Sequence, residues 1–114
     1  MNKDTVINIS AFDIEPGSEG DFFSWYDEIH IPMLLKFPGL RRASRAEKRE
    51  ENDQYPRFLT IFEFEDEEAF AAYLTSPELR GAHRDATVRS SEKRDRVGRW
   101  RVQYRVKKTW TKEP

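Results

Sequence analysis

One segment, Arg57 to Glu65, constrains the fold most, because both faces of the strand it predicts are largely apolar. Side chains alternate between two faces along a strand. The two sets here are Phe58, Thr60, Phe62, Phe64 and Leu59, Ile61, Glu63. A strand that is apolar on both sides has to be covered on both sides. A chain of 114 residues has enough helix to cover one side of a sheet, so the other side needs a second cover.

The rest of the chain predicts three more strands and three helical segments. In chain order they are Thr5–Ile14 (strand), Glu19–Lys36 (helix), Arg41–Arg49 (edge strand), Asp66–Leu74 (helix), Ser76–Arg96 (helix, ended by Gly98) and Trp100–Val106 (strand). Pro32 has no N–H and interrupts the first helix, which is expected to restart near Ile31 with the proline in its first turn. The element order is therefore βαββαβ.

This order predicts the α+β class and a single ferredoxin-like βαββαβ domain over residues 1–114. We expect a four-stranded antiparallel sheet with helices on one side. The uncovered side is expected to carry Phe12, Phe58, Phe62 and Phe64. Two copies related by a two-fold axis would bury both such faces, which predicts a homodimer in the form of a dimeric α/β barrel.

Composition argues against several kinds of partner and site. Lys and Arg number 20 against 21 Asp and Glu, so no net basic field favours nucleic acid or an anionic membrane. The chain has no cysteine, and its first residues contain no long apolar run, so a cytoplasmic protein is expected. No glycine-rich phosphate loop or His-Glu-x-x-His motif occurs, and the two histidines predict no metal site.

The segment from Trp25 to Pro32 reads W-Y-D-E-I-H-I-P, and the turn Phe37-Pro38-Gly39 follows it. This run resembles the EthD-like proteins of the dimeric α/β-barrel superfamily. The second half, from Leu59 to His83, is similar to the antibiotic-biosynthesis monooxygenases and haem-degrading enzymes of the same superfamily. The resemblance implies the fold, the homodimer and a small-molecule site. It leaves the chemistry open, since the superfamily includes cofactor-free oxygenases, lactone isomerases and haem enzymes.

His30 is the candidate catalytic residue. An imidazole exchanges protons near neutral pH, and the helix break at Pro32 could turn this one toward a cavity. A structural role is open as well, in which the ring bonds the carbonyl groups freed at the break.

A second set of residues is expected to contact a small apolar or aromatic ligand. The set is Tyr26, Asn8, Ser10, Phe62, Phe64 and His83. The phenol of Tyr26 could donate to a ligand oxygen or to a backbone carbonyl. Asn8 and Ser10 are polar groups on the strand face assigned to the interior, where either a ligand or ordered water could satisfy them.

The haem-degrading relatives surround haem with an Asn, a Trp and a His, and the matching positions here are Asn8, Phe64 and His83. Phe64 lacks the indole N–H and the larger ring surface. The resemblance therefore implies no tight haem site, and no cofactor is predicted. A basic row on the last strand, Arg101, Arg105 and Lys107, could hold a carboxylate or could be solvated or salt-bridged.

Three functions remain open. The chain could be a cofactor-independent enzyme acting on an aromatic, quinone-like or lactone ligand beside His30. It could be a non-catalytic binding or accessory homodimer with the same cavity, or a dimeric scaffold whose interior is filled by phenylalanine. An open cavity beside His30, on the order of a few hundred Å³, would favour the first two.

Overall fold

The sheet is built from four strands in a computed structural model that describes residues 3–113. The strands are β1 (Val6–Ile14), β2 (Leu40–Glu47), β3 (Phe58–Phe64) and β4 (Arg96–Arg105). Their spatial order is β2-β3-β1-β4, and all three pairings are antiparallel. This arrangement is the predicted α+β ferredoxin-like fold, with the charged strand β2 at an edge as expected.

The helices all connect strands across one side of this sheet. They are α1 (Glu19–Trp25), a π-helical turn (Tyr26–His30), α2 (Ile31–Leu34), α3 (Glu67–Tyr73) and α4 (Pro77–Glu92). Side-chain caps begin the last two helices: Asp66 accepts from the Ala69 N–H at 2.8 Å, and Ser76 accepts from the Leu79 N–H at 3.1 Å. Within residues 3–113, no helix is both long and apolar enough to cross a membrane.

The first helical region breaks where Pro32 predicts that it should. The Ile31 N–H donates to the Tyr26 carbonyl, five residues earlier, and α2 then begins with Pro32 in its first turn. A proline causes no loss there, because first-turn N–H groups have no intrahelical partner. The turn that results holds Tyr26 and His30 in a stack, with ring centroids 5.3 Å apart.

The assignment of the sheet faces was wrong. The side chains of Phe12, Phe58, Phe62 and Phe64 are buried under the helices rather than on the uncovered face. The uncovered face carries Ile7, Ile9, Leu59, Ile61, Trp100, Val102 and Tyr104. The physical reason is the distance between the helix layer and the sheet. This gap has to be filled by large side chains, and the aromatic rings fill it.

A second correction concerns the junction of α4 and β4. The helix ends at Glu92, not near Arg96, and β4 begins at Arg96. Gly98 does not end the helix but lies within β4 opposite Phe12, beside an irregularity in the pairing with β1. The Arg89 guanidinium holds the Asp95 carboxylate at 2.8 Å, and Asp95 in turn accepts the Glu15 N–H through its backbone carbonyl. These bonds start the strand earlier than the sequence pattern indicates.

Candidate functional site

A cavity of about 180 Å³ lies beside His30, between the helices and the sheet. Its walls include five of the seven predicted site residues, namely His30, Tyr26, Ser10, Phe62 and His83. An apolar cavity of roughly 150 Å³ is enough to hold benzene, whereas pockets for drug-sized ligands begin near about 300 Å³. The space therefore fits one ring.

The His30 ring contacts two aromatic rings. Its centroid lies 4.9 Å from that of Trp25 and 5.3 Å from that of Tyr26. The Nδ1 atom is buried and has no hydrogen-bond partner, and the side chain makes no cap at the start of α2. A buried polar atom without a partner costs about 1–3 kcal/mol, so the fold holds His30 in this position at the expense of stability.

Burial lowers the pKa of His30 to about 4. The Asp85 carboxylate opposes this shift, while His83, Arg96 and Arg101 add to it through their positive charges. Near neutral pH the ring is therefore uncharged and has one nitrogen able to accept a proton.

The Tyr26 hydroxyl lies 2.7 Å from the Thr60 hydroxyl, deep in the core. Either oxygen can donate, so whichever accepts keeps its own hydrogen for a second partner. Burial raises the pKa of Tyr26, and the phenol stays protonated across the physiological range. Tyr26 is thus a neutral hydrogen-bonding group at the cavity wall.

Trp25 and Asp85 tie the helix that carries His30 to α4. The indole Nε1 donates to an Asp85 carboxylate oxygen at 2.8 Å. This bond fixes the ring that stacks on His30 and holds the carboxylate near the imidazole. The position of His30 therefore depends on a contact between two helices.

Two arginines of β4 converge on one serine at the cavity wall. Arg96 donates to the Ser10 hydroxyl at 3.1 Å, and Arg101 donates to the same oxygen at 3.4 Å. Arg96 is exposed overall, yet its guanidinium also lies 4.8 Å from the Phe12 ring centroid, and burial lowers its pKa. In the part of the chain that the structure describes, neither guanidinium pairs with a carboxylate.

Sequence reasoning included Arg101 in a basic row but missed Arg96. The other members of that row are salt-bridged, since Arg105 pairs with Glu67 at 2.9 Å and Lys107 pairs with Asp4 at 2.6 Å. If side chains alternated regularly along β4, Arg99 would lie on the same, helix-covered face of the sheet as Arg101. The irregularity beside Gly98 changes the alternation and brings Arg96 there instead.

Two predicted site residues do not line the cavity. The Asn8 side-chain oxygen accepts from Gln103 Nε2 at 2.9 Å, so its partner is a protein group. Phe64 packs against Phe70 and Tyr73, with centroids 5.1 Å and 4.7 Å away. The haem-type trio of Asn8, Phe64 and His83 is therefore not gathered around one space.

A wider groove of about 730 Å³ adjoins the cavity between α1 and the C-terminal half of α4. The two spaces share Trp25, His83 and Arg96 as walls, so a ligand larger than one ring could extend from the cavity into the groove. His83 is exposed and stands at this boundary. Among residues 3–113, no cluster of three or more His, Cys, Asp or Glu side chains is placed to hold a metal ion.

Fold and sheet order define the class as a ferredoxin-like α+β protein. A family model described as a domain of unknown function, DUF4286, matches residues 5–111, and the chain belongs to that family. No curated protein sequence matches the chain.

Solved structures with the same fold include SnoaB, a cofactor-independent oxygenase from Streptomyces nogalater (16% identity, TM-score 0.67, covering 96% of this chain and 99% of that one). An EthD family protein from Bacillus halodurans C-125 is similar as well (15% identity, TM-score 0.64, 91% and 97%). So is a dimeric ferredoxin-like protein of unknown function from Jannaschia sp. CCS1 (19% identity, TM-score 0.52, 68% and 78%). The expected resemblance to EthD-like proteins is borne out at the level of the fold, which is all that likeness at these identities establishes.

Proposed function

We propose that the chain is a cofactor-independent small-molecule enzyme whose ligand, an aromatic, quinone-like or lactone ring, occupies the cavity beside His30. The observation that carries this proposal is that a neutral imidazole, His30, forms part of the wall of a ring-sized space while its buried Nδ1 has no protein partner. Natural proteins rarely leave a buried polar atom without a partner, and a functional group awaiting its ligand is one of the few accepted explanations.

Proton transfer is the chemistry that this site supports. His30 is uncharged near pH 7, so it can accept a proton from an acidic C–H or O–H of the ligand. A pKa of about 4 makes it a weak base in the free protein, and negative charge that develops on the ligand would raise that pKa. Where the Thr60 hydroxyl donates to Tyr26, the neutral Tyr26 hydroxyl keeps its own hydrogen for a bond to a ligand oxygen. The cofactor-independent oxygenase activity named for SnoaB agrees with this reading.

A non-catalytic binding or accessory protein is the second candidate. In an acid–base histidine one ring nitrogen is commonly oriented by a protein group. Here Nδ1 has no such partner, and this favours a histidine that only bonds a ligand.

We further propose that the protein is a homodimer joined through the uncovered sheet face. Trp100 and Tyr104 of that face are 48% and 56% exposed, and aliphatic rows of β1 and β3 lie beside them. A contiguous apolar surface of this kind marks a protein interface. The Jannaschia neighbour is a dimeric ferredoxin-like protein, which supports a homodimer of this chain. A cytoplasmic location remains a prediction from the sequence.

Native mass spectrometry of freshly purified protein tests ligand binding first, because a co-purifying molecule reveals both its occupancy and its class. Turnover is then measured by product mass and oxygen uptake, with that molecule or with a panel of hydroquinones and lactones. His30→Asn keeps hydrogen-bonding capacity but abolishes proton exchange near neutral pH, and it should reduce turnover by about 10²–10⁴-fold. Arg105→Gln, outside the cavity, is the control and should retain most activity.

The outcomes separate the two candidates. A His30→Asn protein that is folded and binds ligand but is inactive supports the enzyme. Ligand binding with no turnover by the wild type supports the accessory protein. Full activity in His30→Asn removes His30 from the mechanism.

A further inference from the structure

We infer that the ligand carries a carboxylate, and that Arg96 and Arg101 bind it beside Ser10. This inference rests on the proposed function, because it assigns a chemical class to the occupant of the same cavity. Its starting point is that two guanidinium groups meet at one hydroxyl oxygen, at 3.1 Å and 3.4 Å.

The positive charge at this point is not balanced by the protein. Within residues 3–113, no carboxylate lies within ion-pair distance of either guanidinium, although other arginines of the same strand have such partners. Arg99 contacts Asp13 at 2.6 Å, and Arg105 contacts Glu67 at 2.9 Å. Like charges held close together repel each other, and an anion between them would remove that repulsion.

The shape of the site favours a carboxylate on a ring. A guanidinium carries five N–H donors in a planar fork that matches a carboxylate, and each of these two donates a single hydrogen bond to Ser10. Phe22, Leu34 and Phe62 supply apolar walls for the ring itself. A space of about 180 Å³ admits one ring with a small substituent, so the expected ligand class is an aromatic or cyclic monocarboxylate.

Such a ligand would also act on His30. Arg96 and Arg101 both lower the pKa of that imidazole, and a bound carboxylate would offset their charges. The other two groups that act on this pKa are Asp85, which raises it, and His83, which lowers it. Ligand binding would therefore make His30 a stronger base at the moment when the substrate is in place.

Calorimetric titration with benzoate as the probe tests the inference, with benzamide as its neutral counterpart of nearly the same shape. Wild-type protein should bind benzoate at least about tenfold more tightly than benzamide, and added salt should weaken only the benzoate complex. Arg96→Gln and Arg101→Gln should each weaken benzoate binding by about tenfold to a hundredfold. Arg105→Gln lies on the same side of the same strand but outside the cavity, and it should leave the affinity unchanged.

The possible failures are distinguishable. Equal binding of benzoate and benzamide, or full benzoate affinity in both cavity-arginine variants, overturns the carboxylate assignment. Tighter, arginine-dependent binding of phenyl phosphate overturns it in favour of a phosphate ester. If a neutral ring binds and depends on His30 while benzoate does not bind, the proposed site stands and only this inference fails. If benzoate binds through the arginines but no substrate is turned over, the inference stands and the enzymatic function fails.

Discussion

The two faces of the sheet differ in burial and in side-chain size, although alternate residues of the same strands form them. In β3, Phe58, Phe62 and Phe64 point under the helices and are at most 3% exposed. Leu59 and Ile61 alternate with them, point the other way and remain partly exposed. The covered face builds a thick aromatic core that still leaves a ring-sized cavity, whereas the uncovered face carries aliphatic rows of β1 and β3 beside Trp100 and Tyr104 of β4.

This difference shows that side-chain size decides which face packs against the helices and which face can pack against another sheet. Large rings are needed where helices stand off the sheet, and the polar groups of the cavity lie among those rings. Smaller β-branched residues suit a face that packs against another sheet. The covered face therefore carries the proposed chemistry, and the uncovered face carries the proposed assembly.

The largest expected effect comes from placing the same charge on either face. Phe62→Glu should unfold the protein, because a carboxylate without a partner in the core costs several kcal/mol. Ile61→Glu should leave a folded monomer, because it disrupts only the proposed dimer interface. Circular dichroism reports folding, and light scattering reports mass, expected near twice 13.6 kDa for the wild type. A folded Phe62→Glu protein, or a dimeric Ile61→Glu protein, would contradict the assignment of the faces.

The second-largest expected effect is a pH dependence of the free energy of unfolding, caused by His30 on the covered side of the sheet. The pKa of His30 is about 4 in the folded protein and near 6.5 in the unfolded chain, so the unfolded state takes up the proton first as pH falls. The free energy of unfolding should therefore decrease by about 3 kcal/mol between pH 6.5 and pH 4, with the full contribution present above that window.

Urea unfolding at several pH values measures this dependence. His30→Asn should lose this part of the pH slope, whereas His83→Asn should keep it. An unchanged slope in His30→Asn would mean that the imidazole is not protected from protonation by the fold.

The smallest expected effect concerns the bond between Trp25 and Asp85. Trp25→Phe keeps a ring beside His30 but removes the N–H donor, and it should lower the free energy of unfolding by about 1–3 kcal/mol. Trp110, which is 79% exposed, provides the control: Trp110→Phe should have no measurable effect. Equal stability of the two variants would show that the Trp25–Asp85 bond does not hold the helices together.

Much of the fold follows from local signals. Pro32 predicts the restart of the helix at Ile31, and the helices predicted to start at Asp66 and Ser76 correspond to α3 and α4, for which these two residues are the N-caps. Alternation in β3 predicts that both faces are largely apolar. It does not predict which set lies under the helices, since that depends on the depth of the packed layer, a property of the assembled structure.

The candidate site was predictable only in part, for a similar reason. His30, Tyr26 and Ser10, which the sequence singled out, line one cavity. Arg96 could not be placed, because its position depends on the pairing irregularity beside Gly98 and on the early start of β4. Asn8 looked like a group in need of a ligand, but Gln103 on the neighbouring strand satisfies it. A hydrogen bond between side chains of two strands cannot be predicted until the pairing register of those strands is known.

The central claim is that a protected cavity beside His30 receives the ligand, and one nuclear magnetic resonance measurement tests it directly. The chain has two histidines, His30 and His83, so tag-free protein labelled with ¹⁵N-histidine gives two sets of imidazole signals. Without ligand, the His30 ring should stay neutral down to a pH near its pKa of about 4, and saturating benzoate should shift its nitrogen signals and raise that pKa. A His30 ring that titrates near 6.5 and does not respond to benzoate or to any co-purified molecule would contradict the account.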